Sequence, residues 1–286
     1  MPQAAVAATG PAGTILAGLL ADASPGILSP GGAAGPGLKP SMPVPPPRPR
    51  LYALVPCAGS GSRSGSPLPK QYVELAGAPL VAHTLRALEA VPRLEATLVV
   101  LAPDDDRFEH LVPEPAGSRR WITRCGGATR AATVAAGLAD LRRHGAVDQD
   151  WVLVHDAARC LLRPAWADRL IDACIDDEVG GLLALRVADT LKAEEGGRVA
   201  ATIDRRGKWA AQTPQMFRLG LLQRALQRSG DAVTDEAGAI EALGLRPRLV
   251  PGALDNLKVT WPEDFELAAR LLASAPRATG TEGGLR

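Results

Sequence analysis

The chain has 286 residues, 46% hydrophobic and 22% charged, with a formal net charge of +1, enough for one medium globular domain with chain to spare. So balanced a charge gives no long-range attraction for a polyanion, and with no local basic patch it excludes nucleic acid as the expected partner. Cys57, Cys125, Cys160 and Cys174 form no Cys-x-x-Cys pair and no zinc-ligand spacing with the four histidines, which reads as buried or incidental thiols in a reducing cytoplasm.

Residues 1 to 50 hold eleven of the 25 prolines and a single acid, Asp22. Pro43-Val-Pro-Pro-Pro-Arg-Pro-Arg50 favours an extended tether, so a disordered extension rich in proline, glycine and alanine is expected there. The apolar stretch Thr14 to Ala21 is too short to span a bilayer and no basic run precedes it, which argues against an anchor or a secretory signal. Translation starting at Met42 is an alternative origin for this segment.

Leu51 to Val55 is an unbroken apolar run and predicts a buried parallel strand. It breaks into Pro56-Cys-Ala-Gly-Ser-Gly-Ser-Arg63, with Lys70 beyond. Gly59 and Gly61 allow backbone N–H groups to approach an anion that Arg63 and Lys70 would also face, so the loop reads as a phosphate cradle. An ordinary strand-to-helix loop stays open as the alternative. No Gly-Lys-Ser/Thr closes the loop and the third glycine of a dinucleotide fingerprint is missing, which excludes both of those classes.

Pro79 to Val91 places Leu80, Val81, Leu85 and Leu88 at helical spacing, and Thr97 to Ala102 predicts a strand. Asp104-Asp-Asp106 reads as a solvated acidic turn. Ala128 to His144 is helical by Val134, Leu138 and Leu141, and Trp151 to Val154 and Gly181 to Leu185 are further short apolar runs. The alternation is βαβ, and right-handed crossovers then predict a mostly parallel, doubly wound α/β sheet that binds ligands beyond the carboxyl ends of its strands.

Three later segments stand out. Cys125-Gly-Gly-Ala-Thr-Arg130-Ala-Ala-Thr133 offers close backbone approach and a helix start, suited to a nucleotide base or ribose, or to a glycine turn capped by Thr129. His155-Asp-Ala-Ala-Arg159 puts charges at the end of a buried strand, which mutual pairing, a divalent metal or an anionic ligand would explain. Arg186 to Ile203 reads as two strands joined by a Glu-Gly-Gly turn, an antiparallel arm over about residues 186–207 or a solvated basic hairpin. Gln212-Thr-Pro-Gln-Met-Phe217 follows as a polar, proline-containing turn.

Taken in order, Pro56 to Arg63 with Pro69-Lys-Gln-Tyr72, Gly126-Gly127 with Arg130, His155 to Arg159, Asp204-Arg205, Gln212 to Gln215, Thr234-Asp-Glu236 and Asp255-Asn-Leu-Lys-Val-Thr260 closely resemble the 2-C-methyl-D-erythritol 4-phosphate cytidylyltransferases of the non-mevalonate isoprenoid pathway. The tail from Ser274 to Arg286, rich in small residues, glycine and threonine, is expected to be disordered on its composition. The resemblance covers about Leu51 to Ala273 and implies a Rossmann-like nucleotidyltransferase domain there. It implies transfer of CMP from CTP to methylerythritol phosphate with release of pyrophosphate, in the cytoplasm, with Mg2+ as cofactor and with no role for nucleic acid or membrane. A relative acting on another polyol phosphate, such as ribitol 5-phosphate, is the alternative.

By position, the resemblance makes Arg63 and Lys70 transition-state cations at the triphosphate and assigns Pro56, Cys57, Ala58 and Gly59 to CTP. Gly127 and Thr133 correspond to the cytosine site, and Asp156, Ala157 and Arg159 to the ribose, phosphate and magnesium region. Arg205 and Lys258 match the cations on the acceptor's phosphate, with Thr234 in the same pocket. The family forms homodimers through the arm, so Arg205 is expected to serve the neighbouring subunit. Cys57, Cys160 and Thr133 stand where the family commonly has alanine, proline and serine, and Thr133 keeps the hydroxyl.

Overall fold

A computed structural model describes residues 48–59 and 68–274, which belong to the second of two units, Met1–Pro46 and Pro47–Arg286. The expected extension up to residue 47, the tail from residue 275, and Gly61 and Arg63 of the first loop lie outside the described residues.

The described residues open with β1 (Leu51–Cys57), a small ribbon of β2 (Glu74–Leu75) and β3 (Ala78–Pro79), then α1 (Leu80–Glu89) and β4 (Ala96–Leu101). The short α2 (Phe108–Leu111), β5 (Arg120–Thr123), α3 (Arg130–Arg143) and β6 (Trp151–Val154) follow. Next come α4 (Pro164–Cys174), β7 (Gly180–Arg186), β8 (Leu191–Glu195), β9 (Arg198–Ile203) and β10 (Trp209–Arg218). The described residues finish with α5 (Leu219–Ser229), α6 (Glu236–Glu241), β11 (Arg248–Pro251) and α7 (Pro262–Ser274).

Among the described residues, seven strands form one sheet in the order β11-β7-β10-β6-β1-β4-β5. Strand β1 is parallel to both β4 and β6, β4 to β5, and β7 to β11. The apolar runs exist because helices cover both faces. Ala53 and Val55 of β1 pack with α1 and α4 on one side, while Tyr52 and Leu54 pack with α3, α5 and α6 on the other. Burying one such side chain contributes about 1.5–3 kcal/mol. From β1 the chain steps to β4 and β5 on one flank, then crosses to β6 on the other, so the strand order reverses beside β1. Ligands of open α/β sheets bind at the carboxyl ends of the strands at such a reversal.

Two sequence readings change. The stretch Gln212 to Phe217, read as a turn, lies inside β10, which runs antiparallel between β6 and β7 in the middle of the sheet. Its register shifts between Ala211 and Gln215, and Pro214 sits in that irregularity, where no ladder donor is required of it. The pair Asp156/Arg159, one of the alternatives for the loop after β6, is long at 3.9 Å, and both groups have closer partners. The β8–β9 hairpin forms as a separate two-stranded sheet whose turn residues, Gly196 and Gly197, have φ of 57° and 77°, conformations that favour glycine. Every residue of β9 is exposed, including Val199 and Ile203. Among the described residues no helix is long and apolar enough to cross a membrane.

Candidate active site

Strand β6 delivers Asp156 to the carboxyl edge of the sheet, where its carboxylate is buried yet surrounded by cations. Oδ1 accepts from Arg130 Nε at 2.8 Å, and Oδ2 lies 2.8 Å from Lys258 Nζ. Burial opposes ionisation of Asp156, but Arg130, Lys258 and Arg159 outweigh it and hold the carboxyl well below the usual range. Arg130, at the start of α3, also makes a bidentate pair with Glu236 at 2.6 and 3.0 Å. Burial opposes its charge too, and Glu236 and Asp156 reverse that, raising its pKa.

Around this cluster lie two clefts. The larger, about 570 Å³, is lined by Pro56, Cys57, Ala58 and Gly59 at and just after the end of β1, by Lys70, by Gly127 from the loop before α3 and Thr133 from the first turn of α3, and by Asp156 and Ala157. Lys70 opens a single helical turn and its Nζ donates to Val259 O at 2.8 Å, beside Lys258. Gly126 and Gly127 are required by the protein's own packing. A Cβ on Gly126 would stand 2.3 Å from Ala58 Cβ and 2.6 Å from Leu101 O, and one on Gly127 would stand 2.6 Å from Ala132 Cβ. Thr129 caps α3, accepting from Ala132 N–H at 3.0 Å. The Thr133 hydroxyl donates to Thr129 O at 2.9 Å and accepts from Gly127 N–H at 3.1 Å, which fixes the glycine loop to the helix.

The smaller cleft, about 200 Å³, is lined by Arg159, Thr213, Gln215, Thr234 and Asp235, and shares Arg130, Asp156 and Lys258 with the larger. Gln215 ties the segment after Thr234 to the sheet, donating to Asp235 at 2.8 Å and accepting from Ala237 N–H at 2.7 Å. Arg159 is held by its own donors on Asn256 O, at 2.7 Å, and Ala211 O, at 3.3 Å. Cys57 contributes its backbone, its carbonyl accepting from Gln71 at 3.2 Å, and its thiol is buried with its pKa pushed up by burial. Burial likewise pushes Cys160 to about 12.

The structure thus brings together Pro56 to Gly59, Lys70, Gly127, Thr133, Asp156, Ala157, Arg159, Thr234 and Lys258. Arg205 stands apart: it is exposed near the base of the hairpin, donates to Ala188 O, and lines neither cleft. Arg130, Glu236, Thr213 and Gln215 stand within the motifs quoted above, yet sequence reasoning gave them no place in the site.

The family model described as IspD, 2-C-methyl-D-erythritol 4-phosphate cytidylyltransferase, matches residues 51–274. The chain belongs to this family. A 2-C-methyl-D-erythritol 4-phosphate cytidylyltransferase of Laribacter hongkongensis is 61% identical over 228 residues, covering 78% of this chain and 96% of the relative. A bifunctional IspD/IspF enzyme of Albidiferax ferrireducens is 58% identical over 240 residues, and the match covers 82% of this chain but 57% of that relative's length. Among solved structures, a 4-diphosphocytidyl-2C-methyl-D-erythritol synthase is 42% identical with a TM-score of 0.69, covering 78% of this chain and 98% of that one. The 2-C-methyl-D-erythritol 4-phosphate cytidylyltransferase of Thermus thermophilus superposes with a TM-score of 0.63 at 30% identity, covering 78% of this chain and 99% of that one. The IspD match begins at the first residue of β1 and ends with the last of α7, so every residue lining the two clefts falls inside it.

Proposed function

We propose that the protein transfers CMP from CTP to 2-C-methyl-D-erythritol 4-phosphate, giving 4-diphosphocytidyl-2-C-methyl-D-erythritol and pyrophosphate in cytoplasmic isoprenoid precursor synthesis. One observation carries this reading: two clefts of unequal size meet at a single charged cluster, Arg130, Asp156 and Lys258. Two phosphate-bearing substrates laid in them have their reacting ends brought to that junction.

A phosphate oxygen of the acceptor forms a bond to the α-phosphorus of CTP. The bond from that phosphorus to the oxygen bridging to the β-phosphate breaks, and pyrophosphate leaves with the electron pair. A phosphate monoester, with a second pKa near ~6, is largely dianionic at neutral pH and needs no general base. The protein's task is positioning and charge neutralisation. Lys70 and Arg63 serve the triphosphate, Pro56 to Gly59, Gly127 and Thr133 the nucleotide, and Asp156, Ala157 and Arg159 the ribose and phosphate side. Lys258 and Thr234 serve the acceptor.

Among the described residues no three histidine, cysteine or acidic side chains group to hold a metal by themselves. Magnesium needs no such group, since it takes one or two carboxylates and completes its shell with phosphate oxygens and water. Asp156, the only carboxylate lining the larger cleft among the described residues, fits that donor set. Mg2+ bound there would offset phosphate charge.

The test is pyrophosphate release from CTP and Mg2+ with each acceptor in turn. Rapid release with 2-C-methyl-D-erythritol 4-phosphate and background release with ribitol 5-phosphate is the expected result; the reverse preference, or no release with either, overturns the reading.

Arg205 belongs, in this reading, to a partner's acceptor cleft, reached through a homodimer in which the exposed Val199 and Ile203 of the hairpin pack on a second copy. Mixed in equal amounts, Arg205→Ala and Lys70→Ala proteins should then regain roughly a quarter of wild-type activity, since half of the symmetric dimers would hold one intact site. No recovery in verified heterodimers removes Arg205 from the shared site.

A further inference from the structure

The ring of His155 is wholly buried and touches two polar partners. Nε2 lies 3.1 Å from the carbonyl oxygen of Arg159, a group that can only accept, so Nε2 carries the proton. Full burial with neither nitrogen on a carboxylate disfavours a charged ring, and the neutral ring presents a lone pair at Nδ1, 3.0 Å from the Thr213 hydroxyl, which donates to it. The same hydroxyl oxygen accepts from the Asp156 N–H at 3.0 Å. One direction of donation runs from the Asp156 amide through Thr213 and the ring to the Arg159 carbonyl. Each group in it is satisfied, as buried polar groups require.

With no exposed surface, the ring cannot exchange a proton with a substrate, and the proposed transfer asks for no base. Its role is geometric. The backbone N–H of His155 continues the sheet onto Leu54 O at 2.9 Å, and the loop then turns, Arg159 N–H meeting Asp156 O at 3.0 Å. The ring ties both ends of that turn to β10, whose Thr213 carbonyl is itself gripped by Asn256 at 2.9 Å. We propose that His155 is a positioning residue: held in the Nε2–H tautomer between Thr213 and Arg159, it sets the loop from which Asp156 and Arg159 reach the junction of the two clefts. The tautomer stands on the geometry alone; the kinetic consequence rests on the cytidylyl-transfer reading.

Two arms test it. The first is independent of any substrate. In protein carrying 15N-labelled histidine, the ring signals that disappear in His155→Gln should show in the wild type, at pH 7, a neutral ring protonated on Nε2. A proton on Nδ1, or an imidazolium, overturns the proposal, and this holds even if no cytidylyl transfer is found.

The second arm is kinetic. His155→Gln keeps a donor near the Nε2 position and offers nothing at Nδ1, while Thr213→Val removes the hydroxyl. Each should lower kcat by roughly 10-fold through misplacement of the loop, with the KM for CTP within about twofold. The double variant should be no worse than Thr213→Val, because both changes break one link. Unchanged kcat in folded His155→Gln, or additive losses in the double variant, overturns the proposal. Should His155→Gln not fold, Thr213→Ser, which keeps the hydroxyl, is compared with Thr213→Val: activity retained in the first and lost in the second supports the relay, and equal activities overturn it.

Discussion

Lys70→Ala should lower kcat by about 10²- to 10³-fold, equivalent to about 2.7–4 kcal/mol of transition-state stabilisation, with little change in the KM for the acceptor. The magnitude follows from how firmly the residue is held. Its helical turn is closed by Tyr72 N–H on Pro69 O at 2.8 Å, and the two residues after it are tied down, Gln71 to Cys57 O and the Tyr72 hydroxyl to Asp105 at 2.5 Å. Nζ donates to Val259 O at 2.8 Å, so the ammonium already stands at the edge of the larger cleft, next to Lys258, before any nucleotide arrives. A cation placed in advance costs no reorganisation when charge develops on the departing pyrophosphate, and its removal is felt chiefly in turnover. The loss of the charged hydrogen bond to Val259 O should cost the folded state about 1.5–3 kcal/mol. Pyrophosphate release at saturating CTP, read beside thermal unfolding, separates the two effects. A kcat within twofold of wild type in folded Lys70→Ala would remove Lys70 from the reaction.

What the sequence disclosed is what depends on neighbours in sequence. Strands β1, β4 and β6 are continuous apolar runs because both faces are covered, and α1 and α3 keep their helical period because one face packs on the sheet. Strand β10 was opaque for a physical reason. It lies in the middle of the sheet, yet Gln212, Thr213 and Gln215 are buried polar residues whose side chains anchor neighbouring loops, on Ala253, His155 and Asp235 respectively. A strand that spends its side chains on tertiary hydrogen bonds has no apolar signature, and with a proline it resembles a turn. The central ion pairs were hidden by distance, since Arg130 and Glu236 stand 106 positions apart and Asp156 and Lys258 are brought together only by the fold. Asp156 and Arg159, three positions apart in one motif, suggested each other as partners; the fold keeps that pair at a long 3.9 Å, sets Arg130 and Lys258 at 2.8 Å from Asp156, and gives Arg159 its hydrogen bonds on backbone carbonyls.

Arg130 is where stability and chemistry meet, and Arg130→Met should cost more stability than any change to the other cations of the site. The guanidinium neutralises two carboxylates at once: Glu236, whose side chain is 1% exposed, and Asp156, at 9%. Removing it leaves both in a low-dielectric setting, with Lys258 at 2.8 Å and Arg159 at 3.9 Å still facing Asp156, and with no other cation paired to Glu236 among the described residues. Breaking a buried pair in this way costs about 3–5 kcal/mol, which in a domain of this size lowers Tm by on the order of 10 °C. The double variant Arg130→Met/Glu236→Leu discriminates between the two roles. Replacing both members of a buried pair by apolar groups is often nearly neutral, so most of the lost stability should return. Activity should not, because Asp156 Oδ1 still lacks the donor that fixes it 2.8 Å from Arg130 at the junction of the clefts. Recovery of stability with turnover still depressed assigns Arg130 to both fold and reaction. Recovery of both would reduce it to a structural ion pair, and recovery of neither would place the instability at Asp156 instead of Glu236.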